Sequence, residues 1–517
     1  MNSETSRGRA WWQWAAPALV LAGLVFWLGV DVPQADQWDL VPLLQKAEAG
    51  HLTFADLYAQ HNEHRIFFPK LIYLGLAHLT AWQVRYEMAV TFALACVAAL
   101  AAWWLAGRQE RGTWLGLMAS VLIFSPVQWQ NWLSGFQLQM WIPIVCLLVG
   151  LVGKSPVVAG VACVVATFSF GNGFLLWLIL APAVIKSWRG LSIWIVLAAV
   201  CLAAYLVGYQ KPGSHPTLLM VVSHPLEVTL YFLALLGGPF AFGFRQSAIV
   251  QGLAVTVGAG LLVALGLAWR RTPRMMPWLL LGTFPVLSSV LTATSRSGFG
   301  VAHALASRYT TIAIWLPVAL LFLYRPRFKP LVTGLVVLHV GAGVWSVAAM
   351  REFTRELRYG KACLVMINET TDDAALHRWV YPDVETLRAW AGGLDRWGWL
   401  RPRPVAAGEP VHLPRDTQAF TVGPDQVLTG WLSASADAVV FGAEDDNGVV
   451  RIIGMAAPGG GREALAKGGR LRAFWSADAR RWTKEFREDE LPAGTRGIFA
   501  WGVNADTGAV SPSTATR

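Results

Sequence analysis

The sequence predicts a polytopic α-helical membrane protein with a C-terminal soluble β-sandwich domain. Of its 517 residues, 55% are hydrophobic and only 14% are charged, whereas soluble domains carry about 25% charged residues. Apolar runs long enough to cross a bilayer recur from residue 14 to residue 349. After residue 350 the composition becomes richer in charged residues, Gly and Pro, and short alternating segments replace the long runs.

The composition change divides the chain into consecutive regions. Residues 1–349 form the transmembrane domain, and its residues 31–86 form a first external loop. Residues 350–410 are predicted to be a helical connector, because Arg351–Arg358 is amphipathic and Val384–Trp397 has helical spacing. Residues 411–517 are predicted to form the β-sandwich domain.

The apolar runs predict about eleven membrane spans. They lie at residues 14–30, 87–106, 113–127, 137–153, 156–170, 172–186, 191–209, 248–268, 276–294, 308–324 and 329–349. The segments 66–84 and 226–244 are interrupted by polar residues, Pro or Gly, and are predicted to lie at the interface or to re-enter.

Basic residues of alternate short loops mark the cytoplasmic side. This side holds Arg7, Arg9, Arg108, Arg111, Lys154, Lys186, Arg189, Arg270, Arg271, Arg274, Arg325, Arg327 and Lys329. The pattern places the N-terminus in the cytoplasm and the C-terminal domain outside. It also explains the net charge of +10 without nucleic acid as a partner.

The cysteines indicate no disulfide framework, because Cys96, Cys146, Cys163 and Cys201 lie in apolar runs and only Cys363 lies outside them.

Carboxylates of the first loop are the candidate catalytic groups. Asp36 and Asp39 follow the first span closely, where partial desolvation and a neighbouring acid favour a general base. The alternative is structural, since Asp39 precedes a run that starts at Leu40 and fits a helix-capping position.

A second polar group in the same loop is a candidate substrate-binding segment. His61, Glu63, His64 and Arg65 suit hydrogen bonds to sugar hydroxyls and phosphate. A divalent metal held with Asp36 or Asp39 is a second interpretation, although the spacing is not HExxH and no cofactor is expected. A solvated interfacial loop is the third.

The segment from Ser295 to Tyr309 contains the candidate phosphate ligands. Arg296 and Arg308 stand at span ends and carry fork-shaped guanidinium groups that bind phosphate bidentately. His303 and Tyr309 lie in the same external segment and are added to the substrate-binding set. Snorkelling of the arginines to lipid headgroups is the alternative.

Amides at the outer ends of spans complete the candidate set. Asn131, Gln137 and Asn172 could read carbohydrate hydroxyls, with Trp129 and Trp132 providing stacking faces. The same tryptophans are also consistent with ordinary interfacial anchoring.

These features together resemble the GT-C superfamily of polytopic membrane glycosyltransferases. The resemblance covers the arrangement of residues 1–349 and is specific at Asp36, Asp39, His61 to Arg65 and Ser295 to Arg308. It is closest to bacterial members related to protein mannosyltransferases and lipid A aminoarabinose transferases. This chain has Asp-Gln-Trp-Asp where adjacent acids are commonest, so either aspartate could be the base.

The resemblance implies an inverting hexosyl- or pentosyltransferase in the bacterial cytoplasmic membrane. Its partners would be a polyprenyl-phosphate-linked sugar, a glycan, lipid or protein acceptor on the periplasmic face, and the bilayer. A first-loop carboxylate would be the base, and external basic residues would hold the lipid phosphate. The alternatives are a transporter or flippase for lipid-linked sugars and a non-catalytic protein of envelope glycan assembly.

The C-terminal segment contains short strand patterns separated by turn signals such as Asp446-Asn447-Gly448. The predicted strands begin at Val427, Ala438, Val449, Arg470 and Gly497. Exposed aromatic residues could bind glycan there, and packing against the membrane domain is the alternative.

Overall fold

The computed structural model describes residues 10–107, 114–211, 219–241, 246–271, 275–324, 329–369, 373–405, 426–433, 435–458, 480–486, 491–492 and 494–516. The chain divides into two compact units. Unit 1 contains Met1–Gly29, His51–Gly75 and Arg85–Met350, and unit 2 contains Val30–Gly50, Leu76–Val84 and Arg351–Arg517. The residues of the predicted first loop are therefore distributed over both units.

The helices of the described residues are numbered here in chain order. They are α1 Ala10–Leu28, α2 Val41–Glu48, α3 Phe54–Tyr58, α4 Phe67–Thr80, α5 Arg85–Leu105, α6 Trp114–Ile123, α7 Trp129–Leu133, α8 Leu138–Gly153, α9 Pro156–Thr167, α10 Leu176–Val184, α11 Trp188–Leu206, α12 Leu219–Ser223, α13 Pro225–Gly237, α14 Ala248–Arg271, α15 Met276–Arg296, α16 Val301–Ala304, α17 Ser307–Ala313, α18 Trp315–Tyr324, α19 Lys329–Val365, α20 Asp373–Trp379 and α21 Val384–Arg396.

Within the described part of the chain, seven helical stretches are long and apolar enough to cross a membrane. They are Arg85–Leu105, Gly135–Gly153, Trp188–Leu206, Ala248–Arg270, Met276–Phe299, Ser307–Tyr324 and Val332–Val365. The other predicted spans correspond to shorter apolar helices: Trp14–Leu28, Trp114–Ile123, Pro156–Thr167 and Gly171–Val184. The structure thus confirms an apolar helical bundle and leaves the count of eleven as a prediction.

The surface of unit 1 is apolar where a bilayer would contact it. Only 6% of the apolar stretch in α11 is buried inside the protein, although the mean hydropathy of this stretch is 1.9. Ile193, Val196 and Val200 are each about 60% exposed on this helix. Because soluble proteins rarely expose such continuous apolar surface, these helices are suited to contact lipid.

The interior of unit 1 is close-packed where glycines let helices touch. Helices α13 and α14 cross at Gly237 and Gly258. A Cβ added to either glycine would approach a main-chain carbonyl oxygen of the other helix to about 2 Å. Small residues at a crossing allow such close backbone approach in membrane helices. The stretch Ser307–Tyr324 is 83% buried, unlike α11, and lies in the interior of the bundle.

The two segments predicted to be interfacial form short helices. Segment 66–84 contains α4, of 14 residues, and segment 226–244 contains α13, of 13 residues. Lys70 in α4 is buried, and its ammonium group donates to the carbonyls of Asp56 and Ala59 at 3.1 and 2.7 Å. This polar residue therefore secures the end of α3.

The last predicted span does not end at residue 349. Helix α19 continues without interruption for 37 residues to Val365, so the amphipathic segment Arg351–Arg358 belongs to the same helix. The predicted helix at 384–397 is confirmed as α21, where Asp383 caps the N-terminus by accepting a hydrogen bond from Thr386 N.

The described residues of unit 2 form two antiparallel sheets. The strands are β1 Gln426–Trp431, β2 Ala438–Glu444, β3 Val450–Ala456, β4 Arg481–Phe486, β5 Gly497–Val503, β6 Val510–Pro512 and β7 Thr514–Thr516. One sheet has the order β4-β1-β7 and the other has β3-β2-β5-β6. Leu428, Phe441, Trp482 and Ile498 come from both sheets and share one buried core, which gives the sandwich arrangement.

The predicted strands and turn are largely recovered in these sheets. β1, β2, β3 and β5 lie where the alternating pattern placed them. Gly448, with φ of +74°, ends the predicted turn between β2 and β3. The predicted strand at Arg470 lies outside the described residues, as do Arg7, Arg9, Arg108, Arg111, Arg274, Arg325 and Arg327.

The segment with the first-loop carboxylates forms a 3-10 helix, Ala35–Leu40, in unit 2. Trp38 is fully buried and contacts Trp82 edge-on, with ring centroids 6.1 Å apart. The amide of Ala35 donates to the carbonyl of Val380 at 2.7 Å, and Ala35 has a φ of +45°. A left-handed conformation at a non-glycine residue is strained and is enriched at functional sites.

Candidate functional site

An ion pair between Glu63 and Arg296 lies at the centre of the charged groups in unit 1. The guanidinium donates through Nη2 to Oε1 of Glu63 and through Nη1 to the hydroxyl of Tyr309 at 3.3 Å. Both charged side chains are mostly buried, with 18% of Glu63 and 22% of Arg296 exposed. Arg296 is the last residue of α15, so the pair forms at the end of an apolar helix.

A tight turn presents Glu63. His61 and His64 exchange main-chain hydrogen bonds of 2.8 and 2.9 Å, and Asn62 between them has a φ of +48°. Asn tolerates this left-handed conformation better than most residues. The turn is fixed to α11 by the hydroxyl of Tyr205, which donates to the carbonyl of Glu63 at 2.9 Å.

His64 connects this turn to the segment that follows α9. Its Nδ1 accepts a hydrogen bond from the amide of Gly171 at 3.2 Å, so we infer that Nε2 carries the proton. Nε2 lies 3.4 Å from Oε1 of Glu63. A Cβ on Gly171 would come within 2.8 Å of Nδ1, so this close approach requires glycine.

The environment keeps Glu63 ionised. Burial by itself raises the pKa of this carboxyl, but the charges of His64 and Arg296 and hydrogen bonds from the Glu63 main chain and from Arg296 together lower it by more. The result is a pKa of about 2, well below its usual value. Glu63 is therefore a fixed negative charge and is not suited to be a general base.

Arg308 belongs to a second chain of contacts in the same unit. Its Nη2 donates to Nε2 of His303 at 2.9 Å, and its guanidinium lies 5.0 Å from the ring centroid of Tyr309. Nδ1 of His303 lies 2.8 Å from the hydroxyl of Tyr231. Tyr309 thus contacts both predicted phosphate-binding arginines, and the structure brings Glu63, His64, Arg296, His303, Arg308 and Tyr309 together.

Two side-chain amides hold the backbone at Arg308. The side chain of Gln130 accepts from the Arg308 amide at 3.2 Å, and Asn131 donates to the Arg308 carbonyl at 2.8 Å. Asn131 also donates to Thr311, which in turn donates to Gln128. Asn131 is fully buried, so its predicted contact with sugar is replaced by a contact with the protein backbone.

Gln128, Gln130 and Thr311 were missed at the sequence level. The available signal was the density of amides in a Trp-rich apolar segment, where a polar side chain needs a buried partner.

Arg65 contacts main-chain carbonyls, whereas the sequence predicted that it binds phosphate. It is 4% exposed and donates through Nε to the carbonyl of Tyr205, through Nη1 to that of Tyr58 and through Nη2 to that of Val207. The carbonyls at the end of a helix have no partner within it. Arg65 therefore stabilises the C-terminal end of α11.

The remaining candidates of unit 1, His61, Gln137 and Asn172, are partly exposed. His61 contacts Phe136, with ring centroids 5.0 Å apart. Gln137 precedes α8 without capping it through its side chain, and Asn172 lies in the 3-10 helix Gly171–Leu175.

In unit 2, Asp39 is held by an aromatic residue distant in sequence. The hydroxyl of Tyr381 donates to Oδ1 of Asp39 at 2.7 Å. Burial and this hydrogen bond to the negative carboxylate raise the pKa of Tyr381. Leu40, not Asp39, is the N-cap residue of α2, and no side chain caps that helix, so the capping interpretation of Asp39 is wrong.

Asp36 has a different environment. It lies in the first turn of the same 3-10 helix, and its side chain is exposed. The hydroxyl of Tyr381 thus distinguishes Asp39 from Asp36, and no local sequence pattern predicts this contact.

Two of the groups in the metal-binding interpretation, Glu63 and His64, already have partners in unit 1. Nδ1 of His64 accepts the Gly171 amide, and the Glu63 carboxylate binds Arg296. A cation would have to compete with Arg296 to bind Glu63.

Comparison with protein-family models, curated proteins and solved structures finds no match for this chain. Its class therefore rests on the fold alone. The apolar, lipid-suited helices of unit 1 and the sheets of unit 2 define a membrane-embedded helical protein with a C-terminal β domain.

Proposed function

We propose that the protein is an inverting glycosyltransferase of the cytoplasmic membrane. In this proposal it moves a sugar from a polyprenyl-phosphate donor to an acceptor hydroxyl on the external face. The observation that supports it most is the cluster of Glu63, Arg296 and Arg308 at the ends of apolar helices. Ionisable groups beside a bilayer are costly and mark functional sites by default.

The charge of the cluster suits the donor. Apart from the imidazoles, two guanidinium groups against one carboxylate leave one positive charge. A sugar linked to a lipid through one phosphate carries a single negative charge, so the two are complementary. Arg308 has five N–H donors, and the bond to His303 engages one of its nitrogens, Nη2.

The role of the arginines is electrostatic. When the bond between the anomeric carbon and the phosphate oxygen breaks, the electron pair stays on the lipid phosphate. Fixed guanidinium donors stabilise that developing charge more strongly than the ground state. Arg308 is the principal ligand in this proposal, and Arg296 is restrained by Glu63.

The acceptor needs a base. As the acceptor oxygen forms its bond to the anomeric carbon, Asp36 or Asp39 takes the hydroxyl proton. Attack opposite to the leaving phosphate inverts the configuration at that carbon.

The membrane topology is part of the proposal. The seven long helices together with the shorter ones at Trp14–Leu28, Trp114–Ile123, Pro156–Thr167 and Gly171–Val184 would supply eleven spans. The basic loops would lie in the cytoplasm, and both the first loop and the sheet domain would lie on the periplasmic side.

A transfer assay with purified protein tests the function. Polyprenyl phosphate carrying a labelled sugar is incubated with the protein and with an envelope fraction that serves as acceptor. Two products are measured: the label that is transferred to the acceptor and the polyprenyl phosphate that is released. Arg308→Met is expected to lower the rate by roughly 100-fold, as loss of a charge-stabilising donor does. Arg189→Met, which changes an exposed arginine on α11, is the matched control.

The alternative function has a distinct outcome in the same experiment. A flippase would show no transfer with any lipid-linked donor but would move the labelled donor across the bilayer of reconstituted liposomes. That result would reject the transferase proposal.

A further inference from the structure

Unit 1 contains an apolar cavity that the proposed reaction does not use. Its volume of about 440 Å³ lies within the range of about 300–1,000 Å³ that is usual for small-molecule sites. Its wall includes Gly260 and Val263 of α14, Leu320 of α18 and Val336 of α19. The hydroxyl of Tyr324, which also lines it, already donates to the Ala264 carbonyl at 2.6 Å.

The cavity is open on the lipid-suited surface of α14. Val263 is 62% exposed and Leu267 is 38% exposed, and both line the cavity. A Cβ added to Gly260 would meet no atom within 4 Å. An unbranched apolar chain could therefore enter laterally from a bilayer without displacing any group at Gly260.

The cavity lies at the basic end of its helices. Leu267 is close to Arg270 and Arg271, which end α14, and Val332 is close to Lys329, which begins α19. Arg308 lies at the other end of the span Ser307–Tyr324, about 24 Å from Tyr324 at 1.5 Å per helical residue. Pro317, the lining residue of this span nearest to Arg308, is about 14 Å from it along the helices, so the cavity and the proposed phosphate site share no residue.

We propose that this cavity binds an acyl chain of an anionic phospholipid from the surrounding bilayer. The apolar wall removes the chain from other lipids, and the positive charge of Arg270 attracts the negatively charged headgroup. Arg270 is exposed and can contact a phosphate at the membrane surface. The site is separate from sugar transfer and does not depend on the proposed function.

Photochemical labelling tests the acyl-chain site. The protein is reconstituted in phosphatidylcholine nanodiscs that contain phosphatidylglycerol with a photoreactive group on one acyl chain. We expect cross-links within residues 257–267 and 332–336 of the wild-type protein. Gly260→Phe fills the cavity and is expected to lower this labelling by about tenfold or more, since it displaces several methylene groups.

Gly252→Phe is the matched control. Gly252 lies on the same helix, is also exposed and has no atom within 4 Å of an added Cβ, but it does not line the cavity. Its labelling is expected to equal that of the wild type. Because the wild-type cross-link map is read independently, the test does not depend on the folding of one variant.

The headgroup is tested separately. Arg270→Gln is expected to weaken phosphatidylglycerol labelling by about fivefold, whereas Arg189→Gln on α11 leaves it unchanged. Photoreactive phosphatidylcholine with the same chains should label weakly and be insensitive to Arg270→Gln.

These outcomes would overturn the proposal: labelling that Gly260→Phe leaves intact, equal labelling by the two headgroups, or displacement of phosphatidylglycerol by polyprenyl phosphate. The last would assign the cavity to a polyprenyl chain instead.

Discussion

Replacing Glu63 by Gln removes the fixed negative charge that holds Arg296. The pKa of Glu63 is lowered from 4.5 to about 2 in the folded protein. That shift corresponds to about 3 kcal/mol of stability. Since only 18% of the side chain is exposed, solvent screens this interaction weakly. We therefore expect Glu63→Gln to lower stability at pH 7 by about this amount.

The pH dependence gives the sharper test. A carboxyl whose folded pKa is depressed stabilises the protein fully above its unfolded pKa and loses that contribution as pH falls through the folded pKa. The difference in stability between wild type and Glu63→Gln should be constant above about pH 5.5 and should shrink from pH 4.5 toward about pH 2.

Thermal unfolding of detergent-solubilised protein at a series of pH values measures this difference. Glu227→Gln is the control, because Glu227 is exposed on α13 in the same unit. If Glu63→Gln and Glu227→Gln unfold at the same temperature at pH 7, the ion pair contributes nothing and the reasoning is wrong.

Three further changes test other parts of the structure. Arg65→Met should lower the unfolding temperature, because buried carbonyls lose their charged hydrogen-bond donor at a cost of at least about 2 kcal/mol. A variant of unchanged stability that binds the lipid-linked sugar more weakly would contradict the structural role. Tyr381→Phe should move the acid limb of the pH–rate profile to higher pH if Asp39 is the base, because the carboxylate loses a donor; an unmoved limb points to Asp36. Gly258→Ala should cost about 3 kcal/mol by overpacking a helix crossing, whereas Gly252→Ala, with open space around it, should not destabilise.

The fold was predictable from sequence where a signal was local. Long apolar runs gave the helices that begin at Arg85, Ala248 and Met276, and alternating segments gave four strands. The shorter runs were ambiguous, because a helix such as α6, with 10 residues, is apolar enough but not long enough to span a bilayer by itself. The prediction ends the last span at residue 349 because the part of α19 beyond it is rich in charged residues and does not resemble a membrane span.

The candidate site was predictable as a set of residues but not as a set of contacts. Glu63 and Arg296 are separated by 233 residues, and Asp39 and Tyr381 by 342, so no local pattern reports either pair. Composition also could not distinguish Arg65 from Arg308. Arg65 is buried against main-chain carbonyls and therefore has a structural role. Arg308 is partly exposed.

The central claim is that a first-loop carboxylate activates an acceptor for sugar transfer. The most direct measurement compares transfer of labelled sugar from polyprenyl phosphate by the wild-type protein, Asp36→Asn and Asp39→Asn. Loss of a general base costs about 100-fold or more in rate, so one of these variants should fall by that factor while retaining its unfolding temperature. Full transfer activity in both variants would contradict the account.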